Sequence, residues 1–376
     1  MIRVTNSVHA DFYRGRKVLV TGHTGFKGAW LVEWLLELGA DVVGYALAPS
    51  TDPSLFAALR QADKIQHVVG DVRDASMFRQ AVKEANPDVI FHLAAQPLVR
   101  QSYREPLETF AVNLMGTANL LDALRGWDRP CVVVVVTTDK CYENIETDAG
   151  YVETDRLGGR DPYSCSKAMA ELAVDAFRQS YFSQTDHASP SPVRIATARA
   201  GNVIGGGDWA PDRIIPDCVR AVQADQPIRL RYPQSTRPWQ HVLDPLDGYL
   251  SLARQLAEAK AGEVEDLATA FNFGPCRGSN RSVADVVGAL QQQWPELQRV
   301  FDTPPEGWHE AGQLFLATDR AQQRLGWAGR WDFETTIRKT AEWYRGFADG
   351  REPGTLTREQ ITQYAAGTQE SPSTST

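Results

Sequence analysis

Short apolar segments alternate with helical patterns along much of the chain. The segment Cys131-Val132-Val133-Val134-Val135-Val136 contains no polar residue, which is typical of a strand buried on both faces. Between such segments, apolar residues recur at helical spacing. The pattern predicts strands at 17–21, 41–47, 65–69, 89–93, 131–136 and 193–199, and helices at 75–85, 108–124 and 163–180.

The order of these elements predicts an α/β fold with a doubly wound parallel sheet. Strands that are apolar throughout lie in parallel sheets covered by helices on both faces, and the crossovers between them are right-handed. In such sheets, ligands bind beyond the carboxyl ends of the strands. Candidate site segments follow four of the predicted strands, at Gly22, Asp71, Ala94 and Thr138. We therefore expect the functional site at that edge of the sheet.

A glycine-rich turn follows the first strand directly. It is the segment Gly22-His23-Thr24-Gly25-Phe26-Lys27-Gly28, and a helical apolar pattern comes next. In dinucleotide-binding turns the first glycine permits the tight bend, the second admits the pyrophosphate and the third lets helix and strand pack closely. The spacing here is G-x-x-G-x-x-G instead of G-x-G-x-x-G. Its place between strand and helix favours a dinucleotide site over a turn that serves packing alone.

Tyr163 and Lys167 stand four residues apart at the start of a predicted helix. Residues at this spacing project from one helix face, so an ammonium lies near a phenol. An unperturbed tyrosine has a pKa of about 10, and a fixed positive charge lowers it toward the range of a general base. The spacing alone also fits an exposed helix pair. Together with the glycine turn it predicts a redox base.

Composition narrows the classes of function. The chain has 376 residues, of which 43% are hydrophobic and 23% charged, as in ordinary globular proteins of two domains. Its net charge of -8 argues against a nucleic-acid binder. No apolar run approaches the roughly 20 residues that span a bilayer, and no signal-peptide core is present. The five cysteines lack metal-binding spacing, so we expect reduced thiols, no metal and a cytoplasmic protein away from membranes.

Five segments together resemble the extended short-chain dehydrogenases that act on nucleotide sugars. They are Gly22 to Gly28, His92-Leu93-Ala94-Ala95-Gln96, Thr137-Thr138-Asp139-Lys140, Tyr163 with Lys167, and Arg199-Ala200-Gly201-Asn202-Val203. The resemblance covers about residues 15–345. Within this family, the run from Thr138 to Asn144 is similar to the CDP-glucose branch of the 4,6-dehydratases.

The resemblance implies a Rossmann-type domain joined to a smaller mixed α/β substrate domain. It places the dinucleotide-binding domain at 1–200, with 239–275 returning to it. The nucleotide-sugar domain would comprise 201–238 and 276–355, followed by a tail at 356–376 that is disordered in part. The family also implies a homodimer or a higher homo-oligomer, and a role in the biosynthesis of deoxysugars such as those of lipopolysaccharide O-antigen.

The resemblance further implies a reaction without net redox change. The nucleotide sugar would be oxidised at carbon 4, lose water across carbons 5 and 6, and receive the hydride back at carbon 6. Tyr163 would be the base at the 4-hydroxyl, with Thr138 on the same oxygen and Lys167 on the nicotinamide ribose. Asp139 matches the family's acid for the leaving 6-hydroxyl. Relatives acting on dTDP-sugars carry glutamate at the position of Lys140, so the carbon 5 base stays open: Lys140 if neutral, or another group if Lys140 only orients Asp139.

The resemblance implies NAD, with NADP as the less favoured alternative. One feature departs from the NAD pattern: the second strand ends Tyr45-Ala46-Leu47-Ala48, without the carboxylate that often binds the ribose 2′-hydroxyl. Lys27 or His23 would meet phosphate oxygens, and Asp71 would flank the adenine. The expected cofactor-binding residues are Gly22, His23, Thr24, Gly25, Phe26, Lys27, Gly28, Asp71, Val72, Leu93, Ala94, Ala95, Gln96, Tyr163 and Lys167. The expected substrate-binding residues are Asn202, Arg213, Arg231, Arg237 and Glu310.

Two other functions use part of the same machinery. A nucleotide-sugar 4-epimerase shares Tyr163, Lys167 and the cofactor but needs no acid for water loss, and Asp139 beside Lys140 argues against it. A non-catalytic dinucleotide sensor keeps the fold alone. Such sensors typically lose the tyrosine or the lysine, and this chain has both.

Overall fold

The computed structural model describes residues 7–147, 149–183, 190–230, 232–275, 277–302 and 314–367. Its strands are β1 (Lys17–Thr21), β2 (Asp41–Ala46), β3 (Gln66–Val69), β4 (Val89–His92), β5 (Cys131–Val136), β6 (Val193–Ala200), β7 (Val203–Ile204), β8 (Ile228–Leu230), β9 (Thr236–Pro238), β10 (Gln240–His241), β11 (Ala270–Phe273), β12 (Asn280–Ser282) and β13 (Arg299–Phe301). Its helices are α1 (Ser7–Tyr13), α2 (Phe26–Glu37), α3 (Leu55–Ala58), α4 (Ala75–Ala85), α5 (Val99–Arg104), α6 (Pro106–Phe110), α7 (Gly116–Ala123), α8 (Pro162–Tyr181), α9 (Ile214–Gln223), α10 (Leu243–Glu258), α11 (Val264–Leu267), α12 (Val283–Gln293), α13 (Asp319–Leu325), α14 (Phe333–Ala348) and α15 (Pro353–Ala365).

A parallel sheet forms the centre of the fold. Its order is β11-β6-β5-β4-β1-β2-β3, and each neighbouring pair runs parallel. The strand order reverses direction at β1, as in doubly wound sheets. The strands predicted from the apolar segments are all present, with ends that differ by at most a residue or two. The predicted fold class is therefore confirmed.

The run of valines in β5 supplies side chains to both faces of the sheet. Val132, Val134 and Val136 pack in the core that contains α2, α10, α14 and α15. Val133 and Val135 pack in the opposite core, with α4, α7 and α8. Because strand side chains alternate between faces, a central strand between two helix layers is apolar at every position.

Short strands build a second, smaller region after β6. They pair as β7 with β10 and β8 with β13, both parallel, and as β9 with β12, antiparallel. Helices α9 and α12 pack with them. The chain returns to the main sheet through α10, which packs on β5 and β6, and through β11. The region is the mixed α/β part expected from the sequence, while the domain boundaries stay a prediction.

The C-terminal part of the chain is more ordered than the sequence suggested. The segment 356–365, placed in a partly disordered tail, belongs to helix α15 and packs against α2 and α14. Pro353 opens the helix and Glu352 caps it, and Ile361 and Tyr364 are fully buried. Arg358 Nη1 pairs with Glu33 Oε1 on α2 at 2.9 Å. The prediction followed the polar composition of the last residues and missed this helical pattern. Residues 368–376 lie outside the described part of the chain.

The predicted helix at 108–124 consists of three segments. Helix α6 continues through one π-helical turn, Ala111–Met115, into α7. Turns of this kind often occur at functional sites.

Within the described residues, no helix combines the length and the apolar character needed to cross a membrane.

A buried ion pair ties helix α8 to the sheet. Arg199 Nη2 of β6 lies 2.9 Å from Glu171 Oε2 of α8, and both side chains are at most 5% exposed. Glu171 also accepts hydrogen bonds from the hydroxyls of Thr137 and Thr197. Arg199 Nη1 donates to Tyr142 OH at 2.8 Å. The pair therefore fixes α8 relative to β5, β6 and the loop after β5.

We predict that Arg199→Met lowers the free energy of unfolding by about 3–5 kcal/mol, because it leaves the carboxylate of Glu171 buried without its cation. Urea unfolding followed by circular dichroism measures the change. The double variant Arg199→Met with Glu171→Gln removes the buried charge and is expected to recover part of the loss. A loss below about 1 kcal/mol in the single variant would show that the pair does not hold α8 in place.

Candidate active site

One large cavity lies at the carboxyl ends of the central strands. Its volume is about 1150 Å³, and it extends from the glycine turn to β9. The sequence-predicted residues that line it are Gly22, Thr24, Gly25, Phe26, Lys27, Gly28, Asp71, Val72, Leu93, Ala94, Ala95, Thr138, Lys140, Tyr163, Lys167, Asn202, Arg213 and Arg237. His23, Gln96 and Asp139 are not among the lining residues. Arg231 and Glu310 lie outside the described residues.

The glycine turn leaves room for a dinucleotide pyrophosphate. Gly22 has a φ of +72°, and a Cβ there would lie 2.7 Å from Ala94 N. A Cβ at Gly28 would lie 2.3 Å from Gly22 O, so these two glycines allow turn, strand and helix to pack closely. Gly25 is different, because its Cβ would meet nothing nearer than Gly22 O at 3.4 Å. No side chain caps α2 at Gly25, so the first amides of that helix are free to bind an anion at the cavity.

His23 does not contribute its side chain to the cavity. The imidazole is buried, and its Nε2 lies 2.7 Å from Nδ1 of His67. The ring also packs edge-on against Phe56. Burial lowers the pKa of His23 to about 4, so the ring is neutral at pH 7 and its contacts are structural. The alternative in which His23 binds phosphate oxygens through its side chain thus has no geometric support.

Asp71 lines the cavity but is already paired. Arg73 Nη2 lies 2.6 Å from Asp71 Oδ2, and this hydrogen bond lowers the pKa of the carboxyl. The backbone oxygen of Asp71 accepts a hydrogen bond from Tyr45 OH at 3.0 Å. The carboxylate therefore stays ionised and oriented at the end of the cavity formed by β2 and β3.

Gln96 forms hydrogen bonds within the loop after β4. Asn113, which binds the backbone of Gln96, was not predicted as a site residue. The Gln96 side chain bonds to Leu98 and Thr109. Asn113, in the π turn, accepts from Gln96 N at 2.8 Å and donates to Gln96 O and to Ser166 Oγ. Asn113 thus joins this loop to α8. The available sequence signal was an asparagine between apolar residues of a helical pattern.

Tyr163 lies at the start of α8, next to the end of β5. Asp161 caps the helix by accepting a hydrogen bond from Ser164 N at 2.9 Å, which fixes the orientation of the first turn. Burial raises the pKa of Tyr163 to about 12, opposed by the hydroxyl of Thr138 and the guanidinium of Arg213. Arg213 is therefore a cation that opposes the rise in the pKa of Tyr163.

Lys167 is buried one helical turn after Tyr163. Its Nζ donates to Val136 O at 3.2 Å. Burial lowers the pKa of Lys167 to about 8, against the attraction of Glu171. The ammonium is thus held at the cavity by a strand carbonyl and by a carboxylate on its own helix.

Asp139 lies behind Thr138. Its carboxyl is 1% exposed and its Oδ1 accepts a hydrogen bond from Thr138 Oγ1 at 3.0 Å. Its Oδ2 is buried with no hydrogen-bond partner in the described part of the chain. Burial raises the pKa of Asp139, while the ammonium of Lys140 opposes the shift. The site therefore favours the protonated carboxyl, the form that donates a proton.

Basic residues close the cavity on the side of the smaller region. Arg213 Nη1 pairs with Asp208 Oδ2 at 2.8 Å. Arg237 is 5% exposed and donates to the carbonyl of Thr236. A second contact was not predicted: Arg100 Nη1 of α5 reaches Asp212 Oδ1 at 2.6 Å. This pair links the two sides of the cavity. Sequence patterns could not indicate it, because the two residues lie far apart in the chain.

Comparison with known proteins identifies the family of this chain. The family model described as GDP-mannose 4,6 dehydratase matches residues 19–340. CDP-glucose 4,6-dehydratase of Salmonella typhimurium is 41% identical over 361 residues, which cover 96% of this chain and 99% of that protein.

Solved structures show the same fold. The epimerase Mth375 of Methanothermobacter thermautotrophicus superposes with a TM-score of 0.75 at 22% identity, covering 93% of this chain and 96% of that one. MoeE5 in complex with UDP-glucuronic acid and NAD superposes with a TM-score of 0.71 at 25% identity, covering 88% and 99% of the two chains. The resemblance drawn from the sequence motifs is confirmed. The chain therefore belongs to the nucleotide-sugar 4,6-dehydratase family, whose members are enzymes with the fold of the extended short-chain dehydrogenases.

Proposed function

We propose that this enzyme is a lyase that converts CDP-glucose to CDP-4-keto-6-deoxyglucose. The observation that carries this proposal is the buried carboxyl of Asp139, whose pKa is raised and whose Oδ2 lacks a partner, directly behind Thr138. Dehydration needs such an acid, whereas epimerisation at carbon 4 does not. The 41% identity to a CDP-glucose 4,6-dehydratase supports the choice of nucleobase and sugar.

The cofactor is NAD, which would supply a reversible hydride acceptor for carbon 4 and carbon 6 of the sugar. The open space at Gly25 and the uncapped amides of α2 suit its pyrophosphate. Asp71 stays ionised at the end of the cavity formed by β2 and β3, where no carboxylate directly follows β2 in the sequence. MoeE5, a structural neighbour at 25% identity, binds NAD.

Tyr163 takes the proton of the 4-hydroxyl while the hydride leaves carbon 4. With its pKa near 12 in the cofactor-free protein, the phenol needs additional positive charge to ionise at pH 7, and the oxidised nicotinamide ring brings one unit. Thr138 hydrogen-bonds the same oxygen. Lys167 binds the nicotinamide ribose through its ammonium.

Asp139 then protonates the 6-hydroxyl as it leaves. Burial raises the pKa of its carboxyl and so favours the protonated form. Lys140 lines the cavity beside it and is the candidate for the carbon 5 base. Arg213 and Arg237 bind the diphosphate, whose charge suits guanidinium groups. The predicted contacts of Arg231 and Glu310 belong to the same proposal.

The enzyme works as a homo-oligomer in the cytoplasm, as we infer from its family. Exposed apolar residues on α6, on the π turn and on α8 support the oligomer: Leu107 is 82% exposed, Leu172 58%, and Met115 and Met169 are also exposed. Because α6 and the π turn contact α8, these side chains lie on neighbouring elements. Such groups of apolar residues mark interfaces between subunits.

We predict that the enzyme removes one water from CDP-glucose and acts much more slowly on dTDP-, GDP- and UDP-hexoses. Each nucleotide sugar is incubated with enzyme and NAD. Mass spectrometry then detects a loss of about 18 mass units, the mass of one water per sugar. Preferential loss of water from another nucleotide sugar would change the substrate and keep the reaction class. Inversion at carbon 4 with no mass change would identify a 4-epimerase.

We predict that Asp139→Asn stalls after oxidation at carbon 4. The amide keeps the shape of the side chain and loses the acidic proton, so turnover falls by about 100- to 10,000-fold. Reduced nicotinamide then accumulates on the enzyme and is seen by its absorbance in a stopped-flow experiment. Asp175→Asn, which changes a partly exposed carboxylate of α8 that does not line the cavity, is the matched control and should complete the reaction. Normal dehydration by Asp139→Asn would move the acid to Lys140 or to a water.

We predict that Leu107→Glu with Leu172→Glu converts the enzyme to monomers, because charged side chains in the proposed interface oppose association. Sedimentation velocity measures the mass of the particle. Phe301→Glu, which replaces an exposed apolar residue of β13, is the control and should keep the oligomer. Unchanged oligomers in the double variant would place the subunit interface elsewhere.

A further inference from the structure

Lys27 does not behave like a phosphate-binding residue of the glycine turn. It is the second residue of α2 and lines the cavity. Its Nζ donates to Tyr249 OH of α10 at 3.3 Å and lies 5.6 Å from the centre of that ring. Tyr249 is fully buried. The side chain therefore extends under the cavity toward α10.

The charges that surround Lys27 are those of the reactive end of the cavity. Lys167 on α8 and Arg213 before α9 repel its ammonium, and Asp139 after β5 attracts it. Tyr249 on α10 is the neutral hydrogen-bond partner of Lys27. Burial and the charge of Tyr163 raise the pKa of Tyr249. In the described part of the chain, no carboxylate forms an ion pair with Lys27. The ammonium is thus a nearly uncompensated charge beside the residues that act on the sugar.

We propose that Lys27 biases the bound cofactor toward its reduced form by placing a positive charge at the nicotinamide end of the site. The oxidised nicotinamide ring carries one positive charge and the reduced ring carries none, so a nearby ammonium destabilises only the oxidised form. At the effective dielectric constant of a protein site, charges within several ångströms change the affinity ratio of the two forms by about 10- to 100-fold.

This bias has a use in the reaction, and here the inference rests on the proposed function. During dehydration the hydride must remain on the cofactor while water leaves the sugar. A lower affinity for the oxidised form relative to the reduced form favours this state over return of the hydride to carbon 4. Lys27 would therefore be a positioning charge for the cofactor cycle, while Tyr163 and Asp139 act on the substrate.

The protonation of Lys27 should respond to the cofactor. Burial and the repulsion by Arg213 and Lys167 lower the pKa of Lys27 to about 7. The ammonium favours the reduced form below that pH, and the neutral amine favours neither form above it. Preference for the reduced cofactor should thus increase as the pH falls through about 7. Lys167, with its pKa near 8, adds a similar effect at higher pH, so a variant is needed to separate the two.

The test measures binding of NAD and NADH to the enzyme by calorimetry, without sugar and after removal of any co-purified dinucleotide. We expect the ratio of the two Kd values to change by about 10-fold or more against NADH in Lys27→Met. Lys27→Arg keeps the charge and should keep the ratio. Lys83→Met, which removes an exposed lysine of α4, is the matched control and should also keep it.

The outcomes separate the possibilities. Equal weakening of NAD and NADH by Lys27→Met would identify Lys27 as a pyrophosphate contact and overturn the proposal, as would unchanged affinities. If Lys27→Met does not fold, Lys27→Gln takes its place in the same measurement, and a wild-type ratio that stays constant on both sides of about pH 7 also overturns the proposal. Failure of the wild type to bind either dinucleotide would refute the proposed function itself, whereas dehydration with an unaffected ratio would refute only the role of Lys27.

Discussion

The chemistry of this enzyme depends on the removal of water from titratable groups at the carboxyl ends of β1 and β5. One physical effect acts with opposite sign on acids and bases there. Burial raises the pKa of Asp139 and lowers the pKa values of Lys27 and Lys167 toward 7 and 8. Each shift favours the neutral form of its group. A sheet edge covered by a second region thereby favours the neutral forms of one carboxyl and two amines at a single site.

These shifts require that the groups cannot move into water. The ion pair between Glu171 and Arg199 holds α8 against β6, and Asn113 connects α8 to the loop after β4. Tyr163 and Lys167 are both carried by α8, so their places relative to Thr138 follow from these contacts. A small displacement of α8 would admit water and return the pKa values toward their usual range. The structural network is therefore also an electrostatic one.

Local pattern predicted the sheet and much of the site, because both follow from short segments. The valines of β5, the glycine turn and the spacing of Tyr163 and Lys167 each carry their information within a few residues. The contact between Arg100 and Asp212, the π turn at Asn113 and the direction of Lys27 depend on tertiary packing. The sign of the Tyr163 shift was missed for the same reason: the charge of a neighbour was visible in sequence, whereas the depth of burial was not.

The distinction between a dehydratase and an epimerase on this fold comes down to one carboxyl. Both reactions need a base at the 4-hydroxyl and a reversible hydride acceptor, and the roles proposed for Tyr163, Lys167 and the nicotinamide cofactor serve both reactions equally well. Only loss of the 6-hydroxyl needs a proton donor beside the substrate. An aspartic acid in water is ionised at pH 7 and is a poor donor. For the same residue buried behind Thr138, with one oxygen that has no partner in the described part of the chain, the raised pKa favours the protonated form that can donate. If Asp139 is the acid that we propose, its burial is thus what converts a shared oxidation site into a site for dehydration.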